Sequence, residues 1–172
     1  MLDITDTHVF FYKEWPSNFK RCSFTYTSHI DNGTRRKKTE TFFCTEQAFM
    51  WEKANYFGDI STADAILTAA TPMDAKSLGR QVKPFDNEKW AKVRYNIMIQ
   101  VNVEKYRQNP DLLEKLLDPR FDGKTFVEAS PVDGIWGILM PMGANGIDDE
   151  ANWRGQNLLG KAITAVREML KP

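Results

Sequence analysis

Apolar residues recur every three or four positions in two long segments of the chain, residues 87–107 and residues 156–170. The positions are Trp90, Val93, Ile97 and Val101 in the first segment, and Leu158, Leu159, Ile163, Val166 and Leu170 in the second. This spacing places the apolar side chains on one face of a helix. The pattern therefore predicts two amphipathic helices, one in the middle of the chain and one at its C-terminal end.

Polar residues that can cap a helix predict where further helices begin. Thr45 can cap a helix over residues 46–56, and Ser61 and Thr71 mark the starts of two more. Asp86 can cap the long middle helix. Together with the two amphipathic segments, these signals indicate a chain in which helices predominate.

Five short segments have the composition or the alternation that is typical of β-strands. They are residues 8–12, 22–27, 35–43, 125–130 and 135–140. Asp31-Asn32-Gly33 predicts a tight turn between the second and the third of them. The order of elements predicts an α+β fold: a single compact, mostly helical domain over residues 1–172, with a small β-sheet.

The charge of the chain is balanced, with 23 basic and 23 acidic residues. This balance argues against a protein that is held to nucleic acid mainly by bulk charge. One basic cluster, at residues 35–38, is either a nucleic-acid patch or the solvated edge of a hairpin.

The potential metal ligands are few. Cys22 and Cys44 are the only cysteines, His8 and His29 are the only histidines, and their spacing is not that of a metal site. We therefore expect no metal, no cofactor and reduced thiols, which are typical of a cytoplasmic protein. The N-terminus lacks the basic start of a signal peptide, and no run of about 18 apolar residues is present, so we expect no membrane association.

Glu46 is the first candidate for chemistry, because it falls in the first turn of a predicted helix. The positive end of the helix dipole favours an ionised carboxylate at this position. Such a group can stabilise an oxocarbenium-like transition state or activate a water molecule, although an acid in a first turn is also favourable without any function. Lys53 lies two turns further along the same face, where it can meet a phosphate or an acid.

Trp90 and Arg94 are a second candidate pair, one turn apart near the start of the long middle helix. A tryptophan beside an arginine can hold a flat base by stacking and bind its phosphate. The alternative is a core tryptophan next to a solvated arginine.

Asp133 is the third candidate, because it lies in a loop before a short apolar segment. The alternative is a simple Asp-Gly turn. Downstream, residues 152–160 open the last helix, and their amide groups either cradle a phosphate or merely begin that helix. Two carboxylates, a tryptophan and several cations together indicate hydrolysis of a glycosidic bond or binding of a nucleotide.

Six short motifs occur in order along the chain. They are Ser17-Asn18-Phe19, Thr45-Glu46-Gln47 with Lys53, Ala75 with Gly79-Arg80, Trp90, Asp133-Gly134-Ile135-Trp136-Gly137, and Gly155-Gln156-Asn157-Leu158-Leu159-Gly160. In this order they resemble the motifs of the NADAR, or YbiA-like, family, and the resemblance covers about residues 10–170.

The resemblance implies the YbiA-like fold and an N-glycosidase, which hydrolyses the bond between a ribose and a nitrogen heterocycle. The implied catalytic residues are Glu46, Trp90 and Asp133. We expect the substrate to be bound by Asn18, Lys53, Arg80, Arg94, Trp136, Gly155 and Asn157. The implied substrates are the early ribosylamino-pyrimidine phosphates of riboflavin synthesis.

Three residues after Glu46 depart from the family pattern. Gln47, Ala48 and Met50 stand where the family has His, Tyr and Gln. Such changes alter the shape and the hydrogen bonding of a pocket.

Two other functions stay open at this stage. The chain can be a hydrolase that removes ADP-ribose from guanine, so that nucleic acid is a partner only when ADP-ribosylated, or a non-catalytic module that binds ADP-ribose or a related nucleotide. For a ribosylamine substrate, the bond to the ribose can break through an oxocarbenium-like state or through a ring-opened imine.

Overall fold

The computed structural model of the chain describes residues 1–30 and 38–172. The predicted turn Asp31-Asn32-Gly33 and residues 35–37 of the basic cluster lie outside the described residues. The described residues form two compact units. The terminal unit comprises Met1–Ser17 with Pro110–Pro172, and the central unit comprises Asn18–Asn109.

The terminal unit contains a three-stranded sheet. Strand β1 (Asp3–Ile4) pairs antiparallel with β2 (His8–Phe11), and β2 pairs parallel with β5 (Thr125–Glu128). All four residues of β2 are buried, as expected for a strand with neighbours on both sides. Helix α6 (Leu158–Leu170) packs on β5. The apolar face predicted for the last helix therefore covers the sheet.

The rest of the terminal unit is helical or irregular. Helix α5 (Pro110–Leu116) is followed by a short 3-10 helix at Pro119–Phe121, and a second one occurs at Glu150–Asn152. The buried side chain of Arg167 in α6 donates to the carbonyl oxygen of Leu116 at 2.9 Å and to Asp122 Oδ1 at 2.6 Å. These bonds hold α5 and its following loop to α6.

The central unit is built around one helix. Strands β3 (Phe24–Thr27) and β4 (Thr39–Phe42) form an antiparallel pair, and β4 leads into α1 (Thr45–Tyr56). Helices α2, α3 and α4 pack against α1; their bounds are Ile60–Leu67, Pro72–Gly79 and Asn87–Arg107. Ten of the twelve residues of α1 are buried.

The helix caps show which sequence signals were sufficient. Thr71 caps α3 and Asp86 caps α4, as predicted. The cap of α1 is Cys44 instead of Thr45: its thiol accepts a hydrogen bond from the backbone of Gln47, and Thr45 is the first helical residue. The cap of α2 is Asp59 instead of Ser61. The carboxylate of Asp59 accepts a hydrogen bond from the backbone amide of Thr62.

The predicted strand at residues 135–140 is wrong. Leu139 has a left-handed backbone with φ of 56°, which interrupts an extended strand. The carbonyl oxygens of Ile135, Trp136 and Gly137 accept hydrogen bonds from the backbone at the start of α6. The carbonyl groups of this apolar segment therefore accept hydrogen bonds from the N-terminal amides of α6, and the segment does not pair with a strand.

The α+β fold class is confirmed, with helices predominating and small sheets in both units. None of the helices in the described part of the chain has the length and apolarity that crossing a membrane requires. A single domain over residues 1–172 stays a prediction.

Candidate active site

Glu46 is the second residue of α1 and is only 7% exposed. Its backbone amide donates a hydrogen bond of 3.0 Å to the carbonyl oxygen of Asn18. The loop that precedes β3 is thereby fixed at the start of α1. A buried carboxylate at the N-terminus of a helix is stabilised by the helix dipole. The first-turn position predicted for Glu46 is therefore present.

Two buried polar atoms beside the backbone of Glu46 have no hydrogen-bond partner among residues 1–30 and 38–172. They are Oδ1 of Asn18 and Oγ1 of Thr45, which belong to side chains that are 7% and 0% exposed. Burying a polar atom without a partner costs free energy, so such atoms call for an explanation. Asn18 and Thr45 thus place two polar atoms that are unsatisfied in the described part of the chain beside the start of α1.

One face of α1 combines the acid with a base and aromatic rings. Glu46, Phe49, Lys53 and Tyr56 are spaced by three, four and three residues, which places them on one side of the helix. We call this set the Glu46 face. Phe49 and Tyr56 contact the Trp90 ring of α4, so the Glu46 face is turned towards α4.

Lys53 is half-buried on the Glu46 face. Its Nζ atom donates a hydrogen bond of 2.8 Å to the carbonyl oxygen of Gly79, the last residue of α3, and lies 4.7 Å from the centre of the Phe85 ring. Burial lowers the pKa of Lys53, with Glu46 acting in the opposite direction and Arg80 adding to the decrease. Lys53 is thus bound to the carbonyl oxygen of Gly79, and its contact with a phosphate stays a prediction.

Trp90 is 6% exposed and lies among aromatic rings. Its ring centre is 5.3 Å from that of Phe49, 6.0 Å from that of Tyr56 and 6.1 Å from that of Phe57. Most of its surface is therefore covered by the protein, and the alternative of a core tryptophan describes its packing. A catalytic role for Trp90 stays a prediction.

The two predicted arginines of the central unit differ in their surroundings. Arg80 is exposed and is the C-terminal cap residue of α3. Arg94 is half-buried on α4, and its Nε atom is buried without a hydrogen-bond partner in the described part of the chain. The Nε–H group is a donor, and an anionic oxygen such as that of a phosphate is its strongest acceptor.

Two of the departures from the family pattern, Gln47 and Met50, contact elements that surround α1. The amide of Gln47 accepts from the backbone of Phe43 at 2.9 Å and donates to the carbonyl oxygen of Ile66 at 3.1 Å. A Cβ atom at Gly79 would lie 1.9 Å from the sulfur of Met50. Gln47 and Met50 therefore serve packing between α1 and its neighbours, and their effect on the shape of a pocket stays a prediction.

Asp133, in the terminal unit, shapes a tight turn. Its Oδ1 atom accepts hydrogen bonds from the backbone amides of Ile135 at 2.9 Å and Trp136 at 2.8 Å. Its own amide donates to Ser130 Oγ at 3.2 Å. Asp133 and Trp136 are both half-buried. Asp133 thus forms the Asp-Gly turn that the sequence offers as the alternative. One of its two carboxylate oxygens accepts both hydrogen bonds, from Ile135 and Trp136.

The start of α6 matches the alternative of a plain helix start. The amides of Arg154 and Gly155 both donate to the carbonyl oxygen of Ile138, and the next four amides also donate to residues 134–137. A Cβ atom at Gly155 would lie 2.3 Å from the carbonyl oxygen of Gly137. This close approach explains why residue 155 is a glycine. The amides of residues 154–159 already donate hydrogen bonds within the protein.

Asn157 is fully buried and has a left-handed backbone with φ of 53°. Its side chain accepts from the amide of Glu128 at 3.0 Å and donates to the carbonyl oxygen of Phe126 at 2.9 Å. Both polar atoms of the side chain therefore bind β5. Asn157 therefore joins α6 to the sheet, and a substrate contact of Asn157 stays a prediction.

Sequence reasoning did not select two residues that the structure places near the Glu46 face. The sequence predicts Thr45 only as a cap, and no motif marks Phe85. Phe85 directly precedes the cap residue Asp86, where an apolar residue usually packs onto the helix that follows. Here it is 47% exposed, which the sequence does not indicate. No group of three or more potential metal ligands occurs in the described ranges.

Comparison with a solved structure supports the fold. The NMR structure of the Escherichia coli protein YbiA matches 98% of this chain and 87% of its own, with a TM-score of 0.66 and 24% identity. A likeness at this identity shows a shared fold. Residues 10–171 match the model of the NADAR domain, and the chain therefore belongs to the NADAR family, as predicted.

Relatives cover nearly the whole chain. Protein irg-1 of Caenorhabditis elegans is 34% identical over 98% of this chain and 82% of its own length. The protein named N-glycosidase R617 of Acanthamoeba polyphaga mimivirus is 34% identical over 95% of this chain and 96% of its own. The riboflavin biosynthesis protein VVA0006 of Vibrio vulnificus is 26% identical over 98% of this chain, which corresponds to 40% of that protein.

Proposed function

We propose that this protein hydrolyses the bond between the ribose and the heterocycle of a ribosylamino-pyrimidine phosphate, with Glu46 as the carboxylate at the reacting carbon. The class of the reaction follows the relatives, since R617 is named an N-glycosidase. The name of VVA0006 refers to riboflavin biosynthesis, which supports the choice of an early intermediate of that synthesis as substrate.

The proposal depends on the surroundings of Glu46. A buried carboxylate stands at the start of α1, next to two buried oxygens, of Asn18 and Thr45, that lack partners in the described residues. A ribose brings hydroxyl groups for these oxygens and develops positive charge at C1 as the glycosidic bond breaks. A nearby carboxylate stabilises that charge.

The hydrolysis balances with water as the only other reactant. The electrons of the C1–N bond move to the nitrogen of the leaving heterocycle, which takes up a proton. Water supplies an oxygen to C1 and loses a proton, for which Glu46 is the base in this proposal. A catalytic role for Asp133 stays a prediction of the family resemblance.

Cations of the central unit suit the phosphate of the substrate. Arg94 offers a buried Nε atom without a partner in the described residues, and Arg80 is an exposed cation whose charge influences Lys53. We assign the phosphate to these two arginines; the charges of Arg80 and Glu46 both act on Lys53. The substrate is a small molecule, and the proposal requires no cofactor. We place the reaction in the cytoplasm, in keeping with the two free thiols.

Product analysis by mass spectrometry tests the proposal. Purified wild type and Glu46→Gln are incubated with a ribosylamino-pyrimidine 5′-phosphate and, separately, with DNA that carries ADP-ribosylated guanine. We expect wild type to release ribose 5-phosphate and Glu46→Gln to lose that activity while remaining folded. Glu88→Gln, which removes an exposed acid from the first turn of α4, is the matched control and should retain it.

The other outcomes separate the alternatives. Glu46-dependent release of ADP-ribose would identify a nucleic-acid hydrolase and overturn the proposed substrate. Tight binding of either compound without turnover by the folded wild type would favour a binding module. Full activity of Glu46→Gln would show that Glu46 is only a favourable first-turn acid.

A further inference from the structure

Phe85 is the exposed member of the aromatic cluster that surrounds Trp90. The side chain is 47% exposed, whereas Trp90 is 6% exposed. The Phe85 ring meets the Phe57 ring edge-on, with 5.2 Å between the ring centres. Phe57 in turn contacts Trp90 at 6.1 Å. Phe85 therefore extends the cluster from the core of the central unit to its surface.

The Phe85 ring is held in place despite its exposure. Phe57 packs against it, and the ammonium group of Lys53 lies 4.7 Å from its centre. A cation at this distance interacts favourably with an aromatic ring. Lys53 is itself fixed by its hydrogen bond to Gly79. The ring thus presents a positioned apolar surface, and a positioned ring binds a flat ligand with little loss of conformational freedom.

Phe85 is linked to the Glu46 face through Lys53. Glu46 and Lys53 lie on the same side of α1, and the charge of Glu46 acts on the Lys53 ammonium group. That ammonium group is the one beside the Phe85 ring. The aromatic surface and the carboxylate therefore flank one cation.

We propose that the heterocycle of the substrate stacks on Phe85, which makes Phe85 a determinant of specificity for a flat nitrogen heterocycle. This inference rests on the proposed function. Trp90 offers little free surface because three rings surround it, whereas Phe85 has an exposed ring next to the same cluster. Stacking tolerates different heterocycles, since each has an aromatic face, so Phe85 selects for a ring and not for one particular base.

Binding to inactive protein tests the inference. In a Glu46→Gln background, the affinity for a ribosylamino-pyrimidine 5′-phosphate is measured by calorimetry with Phe85 unchanged and replaced by Ala, Leu, Tyr or Trp. We expect Phe85→Ala and Phe85→Leu to weaken binding by about tenfold, the usual effect of losing one stacked ring. Phe85→Tyr and Phe85→Trp should bind as the parent does, because they retain an aromatic face.

Two controls separate stacking from a general effect on the fold. Ile60→Ala removes an apolar side chain of α2 that is 46% exposed, and it should not change the affinity. Ribose 5-phosphate, which lacks the heterocycle, should bind Phe85→Ala and its parent equally. Urea unfolding of each variant verifies that it is folded.

Two results would overturn the inference. One is a Phe85→Leu variant that binds as tightly as its parent, since an apolar side chain would then suffice. The other is an equal loss of affinity for ribose 5-phosphate, since the heterocycle would then not be involved. If wild type shows no turnover but Phe85 governs binding, the proposed hydrolysis fails and the stacking site stands.

Discussion

The Oδ1 atom of Asp133 accepts a hydrogen bond of 2.8 Å from the backbone amide of Trp136. The same oxygen accepts from the amide of Ile135 at 2.9 Å. The turn therefore depends on one carboxyl oxygen as an acceptor, and these two bonds need neither the second oxygen nor the negative charge. This separation allows the structural and the catalytic interpretations of Asp133 to be tested independently.

Asp133→Asn keeps the oxygen acceptor and removes the charge. We expect the free energy of unfolding to fall by about 1 kcal/mol or less, because a neutral oxygen is a weaker acceptor than a carboxylate. We expect kcat to fall by about 100-fold or more if Asp133 transfers a proton or stabilises charge in the reaction. Urea unfolding and steady-state kinetics measure the two effects. Asp133→Ala, which loses the turn as well, should lower both stability and kcat. Full kcat in a stable Asp133→Asn would reduce Asp133 to a turn residue.

Asn157 provides a prediction about stability, because its side chain satisfies two backbone groups of β5. Asn157→Ala leaves the amide of Glu128 and the carbonyl oxygen of Phe126 without those partners and places alanine in a left-handed conformation. We expect the free energy of unfolding to fall by about 2–4 kcal/mol, measured by urea denaturation.

The control for Asn157 is Asn152→Ala. Asn152 is exposed, and its side chain donates to the carbonyl oxygen of Gly146 at 2.9 Å. Losing one exposed bond should cost less than about 1 kcal/mol. A stable Asn157→Ala with a raised KM would support the sequence prediction that Asn157 contacts the substrate.

Local signals predicted most of the elements. Thr71 and Asp86 cap α3 and α4 because a cap depends on residues within one turn. Cys44 replaced Thr45 as the cap of α1, since a thiol can also accept the hydrogen bond. The strand predicted at 135–140 was wrong because its carbonyl groups bind the start of α6, about twenty residues later. An apolar run does not reveal such a distant partner.

The candidate site was predictable only as far as it depends on helix geometry. Spacing correctly placed Glu46 and Lys53 on one face of α1. The bond from Lys53 to Gly79 and the engagement of Asn157 by β5 join residues that are 26 and about 30 positions apart. The exposure of Phe85 likewise follows from how the rings of the central unit pack. The sequence alone predicts neither these hydrogen bonds between distant residues nor the exposure of the Phe85 ring.

Lys105 is fully buried in α4, although it carries an ionisable group. Burial lowers the pKa of Lys105 from 10.5 to about 8, and the nearby thiols of Cys22 and Cys44 offset part of the effect. Between pH 8 and 10.5 the unfolded chain therefore retains a proton at Lys105 that the folded chain has lost. The free energy of unfolding must rise with pH in this window, because the unfolded state binds more protons.

The Lys105 contribution is measured by urea unfolding of wild type and Lys105→Met at intervals from pH 6.5 to 9. We expect the stability difference, wild type minus variant, to be constant at the lowest pH values and to increase above about pH 8, with a limiting slope of about 1.4 kcal/mol per pH unit. The measured pH range ends at 9 because of Cys44. Burial raises the pKa of Cys44 from 9.0 to about 12, so the contribution of Cys44 to stability falls with pH above 9. Lys92→Met, an exposed change on the same helix, should follow the wild-type profile. Parallel profiles for wild type and Lys105→Met would mean that Lys105 keeps its ordinary pKa in the folded protein.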